Sequence, residues 1–334
     1  MDYALIWAGL LAFAVFAYVI LDGFDLGIGI LFPWIKDPTD KGTAMNSIAP
    51  IWDGNETWLV LGGGGLYAVF PLAYAVIMPA LYAPLIVMLL ALIFRGVAFE
   101  FRWRAETPQK QKLWDIGFTA GSVAAAFSQG IALGALVKGI HVVDRSYAGG
   151  WWDWLSPFSL TTGVALVIGY AALGSGWLIL KTTGTLQNFA FRVALGLTLG
   201  ISLMIGAISL WMTYSDPSYM TRWFNYPNYL YLAPIPILVA VFTLKALHAI
   251  IHRKELQPFL LMIGLFALSY FGLCLSFYPN IVPPEITIWA AAGPDNSLKF
   301  LLVGAAVLLP MIIAYTAYSY WVFRGKVKAD EAYH

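Results

Sequence analysis

The stretch ALIWAGLLAFAVFAYVILDGFDLGIGILFP, residues 4–33, decides the fold of this chain. Its first part, residues 4–21, is uncharged and almost wholly apolar. A helix of about 20 apolar residues is long enough to cross the hydrocarbon core of a bilayer. Comparable runs recur along the whole length of the chain, so the sequence predicts an all-α polytopic membrane protein.

The composition supports this fold class. Of 334 residues, 60% are hydrophobic and 11% are charged, against about 25% charged in soluble proteins. These values exclude soluble, disordered and fibrous classes. The net charge of +1 and the scattered bases exclude nucleic acid as a partner. The lone Cys274 excludes an internal disulfide or a CxxC metal site. The first run lacks a basic leader and a cleavage site, so we expect a retained helix rather than a signal peptide.

Apolar runs between polar or proline-rich breaks predict nine transmembrane helices. They cover residues 4–33, 54–77, 79–101, 113–140, 157–181, 188–212, 228–252, 257–278 and 297–323. The break between the second and third spans is marked mainly by Pro79. We expect a single membrane domain over 1–334, in which 1–140 forms a four-helix bundle with the charged motifs, 157–278 forms a second bundle, and 297–323 packs outside both.

Positive charge predicts the orientation, because cytoplasmic loops are enriched in Lys and Arg. One set of connections carries thirteen bases: Lys36, Lys41, Arg102, Arg104, Lys110, Lys112, Lys181, Arg192, Arg253, Lys254, Arg324, Lys326 and Lys328. The other side carries four: Lys138, Arg145, Arg222 and Lys299. The sequence therefore predicts an external N-terminus and a cytoplasmic C-terminus. The external segments 145–156 and 213–231 are rich in Trp and Tyr, which favours an interfacial aromatic belt.

Ionisable residues at membrane depth are costly and suggest function by default. Asp22 and Asp25 share one face near the cytoplasmic end of the first span, and Arg95 lies at a similar depth in the third. A buried Arg requires a carboxylate, and we expect Asp25, or else Asp22, to pair with it. Asp115 opens the fourth span at the same end, so we expect one buried polar cluster of these four residues. It is either a structural ion pair or a polar site for protons or a bound headgroup.

The stretch IWDGNETWLV, residues 51–60, holds a second acidic pair. Asp53 precedes Glu56 by three residues just before an apolar run, which is the D-x-x-E pattern of a capping box. A cap would explain both acids without any chemistry. A dense polar group at the cytoplasmic face also suits a proton path, and Asp53 and Glu56 are its candidates.

Glycines mark close helix packing. Gly23 and Gly27 form a small-xxx-small pair beside the two acids of the first span. Four consecutive glycines follow in the second span, Gly62, Gly63, Gly64 and Gly65. No GK[ST] follows them, so a nucleotide-binding loop is a poor explanation. Packing of another helix or of a partner subunit explains them better.

The four histidines predict neither a metal site nor a haem site in this chain. His248 and His252 share a helix face, but no third nitrogen or sulfur ligand joins them, and His141 and His334 lie elsewhere. No pair is placed to hold a haem across the bundle. We therefore expect no tightly bound metal or haem here, and no residue is singled out as catalytic with certainty.

The motifs LDGFDLGIG (21–29), SIAPIWDGNETWLV (47–60), FRGVAFEFR (94–102) and WDIG (114–117) resemble subunit II of the cytochrome bd-type quinol oxidases. The close spacing of the first two motifs looks most like the cyanide-insensitive branch. The resemblance extends over the whole chain in length and number of spans, although its specific motifs lie within residues 21–115.

The resemblance implies a multi-pass subunit of the bacterial inner membrane, paired with a haem-bearing subunit I. The complex would oxidise quinol, reduce oxygen to water and contribute to the proton gradient, with two b-type haems and one d-type haem in subunit I. Small single-helix accessory subunits are compatible with it, as is a structural quinone or lipid bound in this chain. By motif, Asp53 matches a residue for cytoplasmic proton uptake, and Trp58 matches a tryptophan near an oxygen route. Asp25, Arg95 and Asp115 match a polar cluster located where the sister subunit holds haem.

Two other functions fit membrane-embedded charges. A proton- or cation-coupled secondary transporter would show inverted repeats and broken helices in both halves, whereas these charges are confined to one half and one depth. A purely structural membrane partner would use every charge as a cap or an ion pair. Co-purification of a haem protein would favour the oxidase, and transport by this chain alone would favour the transporter.

Overall fold

The computed structural model describes residues 1–327, and nearly all of its ordered elements are helices. The predicted cytoplasmic tail lies outside the described residues from Lys328 onward. The helices are α1 Tyr3–Leu31, α2 Pro38–Asn46, α3 Trp52–Val69, α4 Pro71–Ala80, α5 Tyr82–Trp103, α6 Pro108–Lys138, α7 Pro157–Lys181, α8 Gly184–Ser215, α9 Pro217–Phe224, α10 Asn228–Leu232, α11 Pro234–Ile251, α12 Gln257–Phe277, α13 Ile288–Ala291 and α14 Asp295–Val322. A short 3₁₀ turn, Phe32–Trp34, follows α1.

Two small antiparallel hairpins connect the helices. The first pairs β1 (Val142–Val143) with β2 (Ser146–Tyr147), and the second pairs β3 (Asn280–Val282) with β4 (Ile286–Thr287). Several helices begin with proline behind a capping side chain. At the start of α2, the Asp37 carboxylate accepts hydrogen bonds from the backbone N–H groups of Thr39 (2.7 Å) and Asp40, which lower the pKa of Asp37.

Eight of the helices in the described part of the chain are long and apolar enough to cross a membrane. They correspond to all the predicted spans except the second, 54–77, which the structure divides into α3 and α4. At 18 residues α3 is long enough, but its acidic start and its glycines lower its hydropathy. The ten-residue α4 is only about 15 Å long at 1.5 Å per residue.

The division of the second span lies at Phe70, one residue before Pro71. A residue that precedes proline is disfavoured in the helical region, and Phe70 adopts φ −123° and ψ 63°. The proline also lacks the N–H that would continue the helix. The interruption leaves the Val69 carbonyl without its intrahelical donor, and the backbone N–H of Gly293 donates to it at 2.8 Å. Pro79, the predicted boundary with the third span, lies inside α4, and α5 begins three residues later.

The helix α1 lies at the centre of the molecule and packs on α3, α6 and α7. From Asp22 to Leu31 all its residues are buried. Because α1 and α6 both pack on α7, the two predicted bundles share a long interface, and their separation stays a prediction. The helix α14 contacts α1 and α3, and Leu298 is its only fully buried residue.

Candidate functional site

The C-terminal half of α1 brings Asp22 and Asp25 into the interior, where both are fully buried. Glycines allow this close packing. A Cβ atom on Gly27 would lie 1.9 Å from the Tyr170 carbonyl oxygen of α7. A Cβ atom on Gly23 would lie 2.8 Å from the Tyr170 ring. Water is therefore excluded from the carboxylates on the side facing α7.

Arg95 of α5 reaches these acids and is 1% exposed. Its Nη1 donates to Asp22 Oδ1 at 2.8 Å and to Glu56 Oε1 at 2.6 Å. Its Nη2 lies 3.9 Å from Asp25 Oδ2. Asp25, the first expected partner, therefore lies at ion-pair distance without a hydrogen bond, whereas Asp22, the alternative, and Glu56 are the hydrogen-bonded partners of the guanidinium.

Asn55 of α3 supplies the hydrogen bond that Asp25 does not make with the guanidinium. Its Nδ2 donates to Asp25 Oδ2 at 2.7 Å and to the Leu21 carbonyl at 3.2 Å. Its Oδ1 accepts a hydrogen bond from the hydroxyl of Tyr320, on α14, at 3.0 Å. Asp25 is thus oriented by an amide, and α14 is joined to the site by one tyrosine.

The cluster of Asp22, Asp25, Glu56 and Arg95 contains three acids and one cation. Within residues 1–327, Asp22 Oδ2, Asp25 Oδ1 and Arg95 Nη2 are buried without a hydrogen-bond partner. Buried charge is costly unless it is paired and hydrogen-bonded. An excess of negative charge in this interior is relieved when a proton binds one carboxylate, so the arrangement is suited to taking up protons.

The two acids of α3 differ in exposure. Glu56 keeps 29% of its side chain exposed while it contacts Arg95. Asp53, one turn earlier, is exposed. The helix begins at Trp52 behind Ile51, which caps it without a side-chain hydrogen bond. The capping-box prediction is therefore wrong: Asp53 is the second residue of the helix, where its charge complements the helix dipole.

Asp115 does not join the Arg95 cluster. It accepts hydrogen bonds from Arg102 Nε at 2.5 Å and from Lys41 Nζ at 2.8 Å. Arg102 follows Arg95 by seven residues on α5, which is about 10 Å along a helix. The single predicted cluster is therefore two separate groups, because the two arginines lie two turns apart on α5 and meet different neighbours. The second group ties α2, α5 and α6 together.

Trp58 is buried against Phe13, with ring centroids 5.6 Å apart and the planes perpendicular. Its Nε1 has no hydrogen-bond partner among residues 1–327. It packs with Ala14 and Tyr18 on α1 and with Leu309 and Ile312 on α14. The oxygen route inferred from its motif stays a prediction.

The four-glycine run of α3 has two different faces. A Cβ atom on Gly62 or Gly65 would contact Val15 (3.4 Å) or Leu11 (2.4 Å) on α1, whereas Gly63 and Gly64 have no neighbour within 4 Å. Half of the run packs inside this chain. The other half lies on an open face with Asp53, Val60 and Tyr67 at helical spacing.

Sequence reasoning missed three buried polar residues that extend the site. The Tyr170 hydroxyl donates to Gln129 Oε1 at 2.7 Å, and Gln129 Nε2 donates to the Tyr18 hydroxyl at 2.8 Å. Tyr18 lies one turn before Asp22 on α1. Their helices were predicted correctly, but nothing in a single sequence shows that three distant polar residues meet.

The Tyr320 contact gives a testable prediction. Replacement of Tyr320 by Phe leaves the Asn55 oxygen unpaired in a site where Asn55 is 1% exposed, and an unsatisfied buried polar group costs about 1–3 kcal/mol. We expect a lower midpoint of thermal denaturation. The matched control is Tyr318→Phe on the same helix, because Tyr318 is 62% exposed. Equal midpoints for the two variants would contradict the role of the Tyr320 hydroxyl.

The described histidines lie at the surface of the chain. No group of three or more His, Cys, Asp or Glu residues could hold a metal ion within 1–327. His141, His248 and His252 are all exposed, so none of them fits as an axial haem ligand inside the bundle.

Comparison with known proteins agrees with the motifs. Residues 3–323 match the family described as cytochrome bd terminal oxidase subunit II. The chain is 28% identical to cytochrome bd-I ubiquinol oxidase subunit 2 of Escherichia coli strain K12, over 98% of this chain and 95% of that protein. It is 29% identical to cytochrome bd ubiquinol oxidase subunit 2 of Bacillus subtilis strain 168, over 98% of this chain and 97% of that one.

The fold agrees as well. A chain of the bd oxidase structure from Geobacillus thermodenitrificans superposes with a TM-score of 0.76 at 17% identity, covering 96% of this chain and 99% of that chain. These similarities do not favour the transporter alternative. The resemblance predicted from the motifs is confirmed: the chain belongs to the cytochrome bd terminal oxidase subunit II family, the second subunits of bd-type quinol oxidases.

Proposed function

We propose that this subunit takes up cytoplasmic protons at the start of α3 and passes them into the buried Arg95 cluster, for use in oxygen reduction by the partner subunit. The observation that carries this proposal is the position of Glu56. Its side chain is 29% exposed and also lies 2.6 Å from Arg95, whose Nη1 contacts the fully buried Asp22. Glu56 therefore connects an exposed acid, Asp53, with two acids that water does not reach.

The charges of the cluster support proton movement. A proton bound at Asp53 can pass to Glu56, one helical turn away, and from there to Asp22, which shares the same guanidinium nitrogen. Arg95 holds the acceptor carboxylates in place, and each transfer leaves the donor ionised. The unpaired oxygens Asp22 Oδ2 and Asp25 Oδ1 are the positions at which this chain's own residues can hold the proton.

We assign the haems and the redox chemistry of the oxidase to a haem-bearing subunit I. Haems belong to the complex, and the exposed histidines of this chain support their placement in the partner, as two b-type haems and one d-type haem. Quinol and oxygen are then substrates of the complex. The open face of α3 that holds Val60, Gly63 and Tyr67 is our candidate contact surface for that partner, because it is exposed and apolar and Asp53 lies at its cytoplasmic edge. Membership of the cyanide-insensitive branch, accessory subunits and a structural quinone stay predictions from the resemblance.

We further propose that α3 is the ninth transmembrane crossing. It runs beside α1, and its end at Val69 contacts the connection before α14, while α4 packs on the two hairpins and α13 at that same end. With nine crossings, thirteen basic residues of the connections and helix ends lie on one side of the membrane and four lie on the other. This distribution supports an external N-terminus and a cytoplasmic C-terminus in a bacterial inner membrane.

The test of the proton path uses conservative replacements. We expect Asp53→Asn to assemble with normal haem content but to reduce oxygen several-fold more slowly, and Asp53→Asn with Glu56→Gln to be slower still. The defect should grow at high pH, where protons are scarce. Quinol-driven oxygen consumption normalised to haem measures both effects.

The control is Glu106→Gln, since the Glu106 side chain is 83% exposed and pairs only with Lys110. It should keep the parent rate at every pH. Asp53 makes no side-chain hydrogen bond in the described part of the chain, so Asp53→Asn removes only the favourable interaction of its charge with the start of α3. Parent rates in the assembled double variant would show that Asp53 and Glu56 are structural only.

A further inference from the structure

A second site lies at the end of the bundle opposite the charged cluster. An open surface cavity of about 380 Å³ lies between α9, α10 and the end of α12. Polar side chains line one part of it, Ser218, Thr221, Arg222 and Asn228, and Leu232 and Leu275 line another. Its wall is therefore part cationic and polar, and part apolar.

The wall formed by α9 is held in place by three side chains. The Tyr219 hydroxyl donates to the Val137 carbonyl at 3.0 Å, and Trp223 Nε1 donates to Ser276 Oγ at 2.8 Å. Burial raises the pKa of Tyr219 to about 12, so it remains a neutral donor. Arg222 Nη1 donates to the carbonyls of Leu275, at 2.9 Å, and Tyr278. These contacts fix the position of the α9 wall.

Arg222 uses only one of its nitrogens in these contacts. Within residues 1–327, its Nε and Nη2 make no hydrogen bond, and neither do the side chains of Ser218, Thr221 and Asn228. Among the described residues, Arg222 is also the only charged one that lines the cavity. A guanidinium with two free nitrogens, close to hydroxyl and amide donors, matches the oxygens of a phosphate group.

The depth of the cavity indicates where such a phosphate would come from. Val137, which anchors α9, follows Asp115 on α6 by 22 residues, about 33 Å at 1.5 Å per residue. The hydrocarbon core is about 30 Å thick, so a cavity at this end lies at the membrane–water boundary. Phospholipids place a phosphodiester at that boundary, directly above their acyl chains.

We propose that this cavity binds the phosphodiester headgroup of one membrane phospholipid. Arg222 holds the phosphate, Ser218, Thr221 and Asn228 supply further hydrogen bonds, and the acyl region lies over Leu232 and Leu275. Free phosphate shares the headgroup chemistry but would make no use of the two leucines. This inference is independent of the proton path, from which it is separated by the length of α6.

The experiment measures lipid retained by the purified complex. The parent complex and its variants are delipidated in detergent, incubated with phosphatidylglycerol vesicles, repurified and examined by native mass spectrometry. We expect one retained phosphatidylglycerol for the parent and for Arg145→Gln, a control that removes an exposed arginine at the same end of the bundle. Loss of a charge-assisted contact should weaken retention at least about tenfold in Arg222→Gln.

Asn228→Leu separates ligand binding from a structural role of Arg222. It leaves the Arg222 contacts with α12 intact, removes a donor from the cavity, and should also lower retention. Equal retention in Arg222→Gln, Asn228→Leu and the parent would overturn the proposal, as would a parent that retains no lipid. Displacement of the lipid by millimolar inorganic phosphate would overturn the assignment to a lipid headgroup.

Discussion

Replacement of Arg95 by methionine is expected to prevent assembly of the subunit. Methionine keeps much of the volume of the side chain but leaves Asp22 and Glu56 without their shared cation, in a site where Asp22 is fully buried. Removal of one partner from a buried ion pair costs about 3–5 kcal/mol. The measurement is the yield of assembled complex after detergent extraction, together with its midpoint of thermal denaturation.

Second-site variants show which acid depends most on Arg95. Asp22 loses its direct hydrogen bond, whereas Asp25 keeps its contact with Asn55 at 2.7 Å. Arg95→Met with Asp22→Asn should therefore recover more assembly than Arg95→Met with Asp25→Asn. The reverse order would show that Asp25 is the energetic partner despite its longer distance.

The control for Arg95 is Arg104→Met at the end of the same helix. Arg104 is exposed, and surface replacements usually change stability by no more than about 0.5 kcal/mol. Assembly of this variant should match the parent. An equal loss in both variants would mean that any reduction in positive charge on α5 impairs insertion, and that the buried pairing is not the cause.

Replacement of Gly27 by alanine is expected to separate α1 from α7. The new Cβ atom would lie 1.9 Å from the Tyr170 carbonyl oxygen and 2.9 Å from the Gly174 nitrogen. Both are backbone atoms, so no rotamer change can relieve the overlap. Overpacking typically costs about 1–3 kcal/mol and occasionally more, and we expect a cost at or above the top of that range because whole helices must move.

The Gly27 prediction has a control on the same helix and a reciprocal test on its neighbour. Gly9 has no neighbour within 4 Å, so Gly9→Ala should leave assembly and thermal midpoint unchanged or slightly improved. Gly174→Ala should be as harmful as Gly27→Ala, because its Cβ atom would lie 2.5 Å from the Gly27 carbonyl carbon. Normal assembly of either α1–α7 contact variant would refute the close backbone packing.

The sequence by itself determined the features that depend on local hydrophobicity. Long apolar runs specify transmembrane helices wherever water is absent, because a helix satisfies its own backbone hydrogen bonds. Eight predicted spans correspond to helices of the structure for this reason. The second predicted span is continuous, although the pair Phe70–Pro71 indicates a helix break. Only the structure shows that the free Val69 carbonyl accepts a hydrogen bond from Gly293.

The sequence also placed Asp22, Asp25 and Arg95 at a common depth, because the rise of a helix is constant. Asp115, expected with them, pairs instead with Arg102, about 10 Å from Arg95 along α5. The sequence could not decide which charges meet, since pairing depends on how neighbouring helices pack. Arg95 and Arg102 lie two turns apart on one face of α5, and their neighbours give Arg95 to Asp22 and Glu56 and give Arg102 to Asp115. Tertiary packing alone decided that Asn55 hydrogen-bonds Asp25 and that Tyr320, on a helix expected to be peripheral, reaches the site. Those contacts join residues up to 265 positions apart in the chain, and no local pattern of hydrophobicity or charge encodes them.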